Sequence, residues 1–271
     1  MKPGTLDDGF RLRISDPLND QAAAAAVERL PGAGIFHSAA WARAIHTGYG
    51  FRTRLFLAET STGGIGAAVP VTPVYNWPFG SRSVSQPFSD ECPILGRDAP
   101  ARDFLYESIG IHAGRQGWRY WELRGAGAPE SAIPATRFHR HEVALNPADL
   151  PCPAQAAPSV HRAVRQAVRA GVTIEISTDE QALRRFHALY CRTRLRHGAP
   201  PAPWTFFAAI GRELIKAGRG IVALAMRSGE DLAGAVFLIH GHRAHYKFGA
   251  YNPERHHIRP NHLVMARAAA W

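Results

Sequence analysis

The chain has 271 residues, 46% of them hydrophobic, enough to bury a substantial core as one large domain or two smaller ones and too apolar for a disordered chain. Its three cysteines, Cys92, Cys152 and Cys191, lie far apart without a CxxC spacing, which indicates neither a disulfide framework nor a zinc site, and no apolar run approaches the roughly 20 residues of a membrane span. The net charge of +10 falls entirely on residues 151–271, with 17 Lys+Arg against 7 Asp+Glu, whereas residues 1–150 carry 15 of each; the expectation is a cytoplasmic protein whose second half meets a polyanion such as nucleic acid, a phosphorylated donor or an anionic lipid head group.

The first half opens with an Ala-rich helix over 19–30 and a second over 38–50, capped by Ser38 and closed by Gly48 and Gly50. Strands over 52–59 and 65–75 flank a Gly-containing turn, and 81–88 adds a third. A loop, a helix over 101–115 and an alternating aromatic strand over 118–125 follow. Residues 125–158 are rich in Pro, Ala and Gly, placing a domain boundary near 150 and dividing the chain into 1–150 and 151–271.

The second half repeats the scheme. A helix over 159–171 leads to a strand over 172–177 and a helix over 179–198 capped by Thr178. A three-strand meander follows over 221–227, 232–240 and 244–251, then a polar loop over 250–259 and a helix opened by Pro260. The topology is duplicated although the letters are not.

A meander feeding a helix through a loop is the order of the acetyltransferase core. The segments FHSAAWARAIHTGYGFRTRLFLAE, PFSDECPILG, VHRAVRQAVRAGV, FHALYCRTRLRHGAPPAPWTFF and HYKFGAYNPERHHIRPNHLVMARAAAW resemble the Fem-type (FemAB/FemX-like) peptidyltransferases and their exopolysaccharide-associated relatives. The resemblance spans most of residues 35–271 and implies an α/β (α+β) fold. It implies two tandem acetyltransferase-like (GNAT) domains with mixed, mostly antiparallel sheets, the second expected to be C-terminally incomplete. It further implies transfer of an acyl or aminoacyl group, from aminoacyl-tRNA or acyl-CoA, onto an amine of a peptidoglycan precursor or another envelope or exopolysaccharide intermediate. No cofactor is expected beyond the activated donor, and the basic half allows peripheral contact with an anionic membrane surface.

The loop ahead of the last helix holds no glycine between Gly249 and Pro260. Glycines let backbone N–H groups approach a phosphate at a helix N-terminus; without them, side chains must hold an anionic or polar substrate, and Arg255, Arg259, Asn261 and His262 are available. On the helix over 159–171, Arg162, Arg165 and Arg169 fall on one face with Val160, Val164, Ala167 and Val168 on the other. An unbalanced line of three arginines suits a phosphate or tRNA backbone, or is a solvated amphipathic face. Aminolysis of an activated ester needs only proton loss from nitrogen and shelter for an oxyanion. Asp90, with Glu91, is the candidate to orient or deprotonate the amine, and Lys247 and Tyr251 are the candidates to face the charge that forms. Strict alternation would put His245, Lys247 and Gly249 on one strand face and Tyr246, Phe248 and Ala250 on the other. The histidines at 240, 242, 245, 256, 257 and 262 lack the carboxylate or cysteine partners that would mark a metal site. A polyanion-binding module without turnover is the alternative from another class.

Overall fold

The computed structural model describes residues 9–76, 78, 80–125, 127–129, 132–146 and 156–271. The chain divides into two compact units, Met1–Arg137 and Phe138–Trp271; the boundary expected near 150 lies outside the described residues, as does Cys152.

The first unit begins with β1 (Phe10–Ser15), a strand not anticipated from the sequence, and continues through α1 (Gln21–Glu28) and α2 (Ala39–Tyr49). The hairpin strands β2 (Arg54–Thr60), β3 (Ile65–Asn76) and β4 (Gly80–Val84) follow, then β5 (Leu95–Gly96), α3 (Ala99–Arg115) and β6 (Trp121–Glu122). Short acceptors start the helices: Asp20, Ser38 and Asp98 take the backbone N–H of Ala23, Trp41 and Ala101, satisfying donors that a helix start leaves open. The sheet order is β1-β2-β3-β4-β6 with β5 on β3, antiparallel except for the β4/β6 pair. Pro70 and Pro73 flank the point where β3 passes from β2 to β4, which tolerates strand residues without an N–H. Phe104, Leu105 and Ile109 of α3 are buried with Phe56, Val69 and Val71, and Ala23, Ala24 and Val27 of α1 with Leu55, Leu57 and Ala68. The aromatic strand expected over 118–125 keeps a two-residue ladder, Trp121–Glu122, and an isolated bridge from Arg124 to Cys92.

The second unit contains α4 (Pro158–Arg169), β7 (Thr173–Ser177), α5 (Glu180–Arg196) and α6 (Trp204–Ile210), which runs on as one π turn. Then come β8 (Gly220–Arg227), β9 (Glu230–His240), β10 (Arg243–Tyr251), a 3-10 turn over Pro253–Ile258 and α7 (Pro260–Ala269). Its sheet is antiparallel throughout, in the order β10-β9-β8-β7. One apolar cluster joins Ala167 of α4 and Leu263 and Val264 of α7 to Ala223, Ala235 and Phe237 of the sheet. Phe186 of α5, Phe207 of α6 and Phe248 of β10 form a second aromatic group. Gly234 lies where α5 presses on the sheet: a Cβ there would meet Phe186 at 2.9 Å and Leu224 at 2.8 Å. Asp179, not Thr178, caps α5, accepting from Ala182 N at 2.7 Å. Arg185 then ties α5 to the strands through Glu175 and Asp231 at 2.7 and 2.5 Å.

Both units are mixed α/β and follow the duplicated order read from the sequence. Among the described residues no helix is long and apolar enough to cross a membrane.

Candidate functional site

Along β10 the antiparallel register is regular from Arg243 to Tyr246 and from Phe248 to Tyr251, but Tyr246 pairs with Phe237 and Phe248 with Val236, so the register steps over Lys247. It is the extra residue of a β-bulge, a device that re-aims a side chain. The bulge overturns the alternation expected for this strand. Tyr246 packs on Phe237 (ring centroids 5.5 Å apart) and crosses the backbone of Gly249, while Phe248 points to the other face, 4.9 Å from Phe207 and 5.8 Å from Tyr190. The half-buried Lys247 places its ammonium 5.5 Å from the Phe248 ring. Tyr251 ends the strand. Its backbone exchanges hydrogen bonds with the Thr193 hydroxyl of α5, and Arg196 lies over its ring at 4.6 Å.

The loop expected after β10 is ordered by its own polar residues. Asn252 Oδ1 accepts from Glu254 N at 3.0 Å, starting the 3-10 turn. Asn252 Nδ2 and Arg255 Nε both donate to Glu230, at 2.9 and 3.2 Å, fastening the turn to the β8–β9 hairpin. Arg255 therefore has an intramolecular carboxylate. Arg259 differs: it is exposed and adopts a left-handed conformation (φ 61°) as the residue that opens α7. An L-residue pays roughly 1–2 kcal/mol for that conformation and glycine does not. Asn261, next on the helix, is exposed, and neither residue has a side-chain hydrogen bond or ion pair within the described chain. His262 is half-buried with its Nδ1 enclosed and without a hydrogen-bond partner among the described residues; burial, and then the nearby Arg259 charge, hold its pKa below the ordinary histidine range.

Arg162, Arg165 and Arg169 are all exposed on α4, and no carboxylate of the described residues pairs with any of them. The buried side of the helix is narrower than expected. Ala163 and Ala167 are in the core, whereas Val168 is 50% exposed. Gln166, on the next turn, donates from Nε2 to the His257 carbonyl at 2.8 Å. The arginine-bearing helix and the 3-10 turn with His256, His257 and Arg255 are thereby joined directly.

Asp90 and Glu91 belong to the first unit, in the segment between β4 and β5. Asp90 is exposed. The segment is pinned: Ser89 donates to the Gln86 carbonyl at 2.8 Å, Arg124 Nη1 to the Ser89 carbonyl at 2.9 Å, and Cys92 N to the Arg124 carbonyl at 2.6 Å. Phe88 takes a left-handed conformation (φ 59°) with its ring stacked on Tyr49 at 4.5 Å. Burial pushes the Cys92 thiol well up, and raises that of Cys191 too, so both are neutral packing residues. No group of three or more metal-ligating side chains occurs among the described residues.

Of the nine candidate residues, Lys247, Tyr251, Arg255, Arg259, Asn261 and the three α4 arginines lie in one unit, along β10, the 3-10 turn, the start of α7 and the helix bonded to that turn; Asp90 lies in the other unit. Sequence reasoning missed Tyr246, because the signal, a bulge, leaves no letter pattern. Gly249 is its only trace.

Residues 155–271 match the family model of the acetyltransferase (GNAT) domain. No curated protein matches the sequence. Among solved structures, the crystal structure of FemX is similar over 93% of this chain and 83% of its own, with a TM-score of 0.62 and 15% identity. The C-terminal (DUF2156) domain of a candidate lysylphosphatidylglycerol synthetase from Agrobacterium fabrum is similar over 93% of this chain and 75% of its own, with a TM-score of 0.52 and 12% identity. At these identities the likeness is one of fold.

Proposed function

Since residues 155–271 form an acetyltransferase (GNAT) domain in a chain with the fold of FemX, we propose that the protein is an acyltransferase that moves an acyl or aminoacyl group from an activated donor to an amine. The observation that carries this reading is Arg259. A charged side chain sits in a left-handed position at the start of α7, where glycine would relax the backbone, and strain of this kind is kept where a side chain has work to do. Arg259, Asn261 and the positive end of α7 suit the phosphate end of a donor, either aminoacyl-tRNA or acyl-CoA. The α4 arginines, without carboxylate partners among the described residues, add the charge that a longer phosphodiester chain would use and favour aminoacyl-tRNA. Arg255 contributes less, since Glu230 already engages it.

In the reaction the amine nitrogen attacks the donor carbonyl carbon. The N–C bond forms as the C–O bond of an ester, or the C–S bond of a thioester, breaks, and the nitrogen's proton ends on the departing hydroxyl or thiol. Lys247, re-aimed by the bulge, faces the charge building on the carbonyl oxygen, and the Tyr251 hydroxyl is a second donor to it. The acceptor amine would belong to an envelope or exopolysaccharide intermediate. The rest is positioning.

Purified protein would be given radiolabelled aminoacyl-tRNA or acyl-CoA with an amine acceptor, alongside Arg259→Gly and Lys247→Met. Arg259→Gly is expected to fold at least as stably as wild type yet bind donor more weakly. Lys247→Met is expected to lose on the order of 100-fold in kcat with KM little changed. Salt-dependent RNA binding with no transfer from either donor would instead establish a binding module.

A further inference from the structure

We infer that Tyr246 is the specificity-determining wall of the donor slot along β10, setting how bulky a transferred acyl group can be. The inference rests on the transferase reading above and adds to it the residue that selects the group.

In a regular strand, residues 246 and 249 would face opposite sides. The bulge at Lys247 puts them on the same side. A Cβ on Gly249 would lie 2.7 Å from Tyr246 Cζ and nearer still to its hydroxyl. The phenol ring thus lies along bare backbone, filling the strip that a missing side chain leaves free. A strand-interior glycine weakens a sheet and marks a close approach, and here the approaching group is another side chain of the same strand. The ring is held lightly. Tyr246 is 52% exposed, contacts Phe237, and has no hydrogen bond from its hydroxyl within the described chain.

Its place relative to the candidate site gives the ring its role. Tyr246 is next to Lys247, and the Phe237 ring it packs on shares a core cluster with Leu263 and Val264 of α7. A donor held by phosphate at the start of α7, with its carbonyl at Lys247, presents its acyl group to the face that Tyr246 covers. A small acyl group fits beside the ring and a bulky one meets it.

Two measurements test this. In thermal melts, Gly249→Ala is expected to lower Tm in the Tyr246 background and much less in the Tyr246→Ala background, because the clash goes with the ring. In transfer assays with acetyl-CoA against hexanoyl-CoA, and glycyl-tRNA against phenylalanyl-tRNA, Tyr246→Ala is expected to shift the kcat/KM ratio towards the larger group by on the order of tenfold or more, while Tyr246→Phe keeps the wild-type ratio. Coupled melts with an unchanged ratio would overturn the wall and leave the transferase reading standing. No transfer from either donor class by the wild type would refute the transferase reading, and the wall with it.

Discussion

Replacing Arg162, Arg165 and Arg169 together by alanine separates a phosphate-binding face from a solvated one. All three side chains are exposed and have no ion pair among the described residues, so their removal costs none of those described, relieves mutual repulsion, and substitutes the best helix former. The helix should persist, since its core side is Ala163 and Ala167. If each arginine neutralises one phosphate, the slope of log K against log salt loses about 0.7 to 0.9 per residue, or about 2 to 2.7 in total. Between 50 and 200 mM salt, wild type should therefore lose about 20- to 40-fold more tRNA affinity than the triple variant. Fluorescence anisotropy with labelled charged tRNA across that salt range, beside circular dichroism to verify the fold, reads the difference. Equal slopes for the two proteins would refute the assignment of these arginines to a phosphodiester backbone.

Two stability predictions follow from other parts of the fold. Ser38 caps α2 and also donates to the Ile35 carbonyl at 2.6 Å while fully buried, so Ser38→Ala should cost about 1–2 kcal/mol in urea denaturation. Burial, and then Arg115, hold the His112 pKa below its ordinary value, and His262 is lowered in the same sense. An unfolded histidine binds its proton more readily than these do. Their contribution is thus complete above the unfolded pKa of about 6.5 and is lost as pH falls through that value towards the folded pKa. Melting temperature should fall between pH 7 and pH 5. The slope should be shallower in His112→Phe, which keeps a ring against Phe56 and Trp118.

The helices and the meander were legible because each carries a local signal. Apolar periodicity, Ser38 as a cap and Gly50 in its left-handed turn place α2 to within a residue, and Pro260 marks the start of α7. Where two neighbouring residues offer the same chemistry, local reading goes astray: Thr178 and Asp179 can each cap a helix, and the carboxylate does. β1 escaped notice because its half-buried pattern takes meaning only from pairing with β2, some 40 residues later. Charge pattern and a glycine-free loop pointed to Arg259 and the α4 arginines, and neighbouring letters gave no hint that Glu230 would engage Arg255 or that Lys247 would fall out of register. Those are consequences of which strands meet, a long-range fact.

The bulge at Lys247 also bears on how the chain reaches its final pairing. Hairpins with one regular repeat throughout can zip up one or two residues out of place and must then unzip to correct the error. β9 and β10 cannot do so without penalty, because a slip of one residue would turn Phe248 away from Tyr190 and Phe207 and take Tyr246 off its cross-strand partner Phe237. The irregularity that aims the lysine thus also serves as a registration mark, leaving the hairpin one way to close.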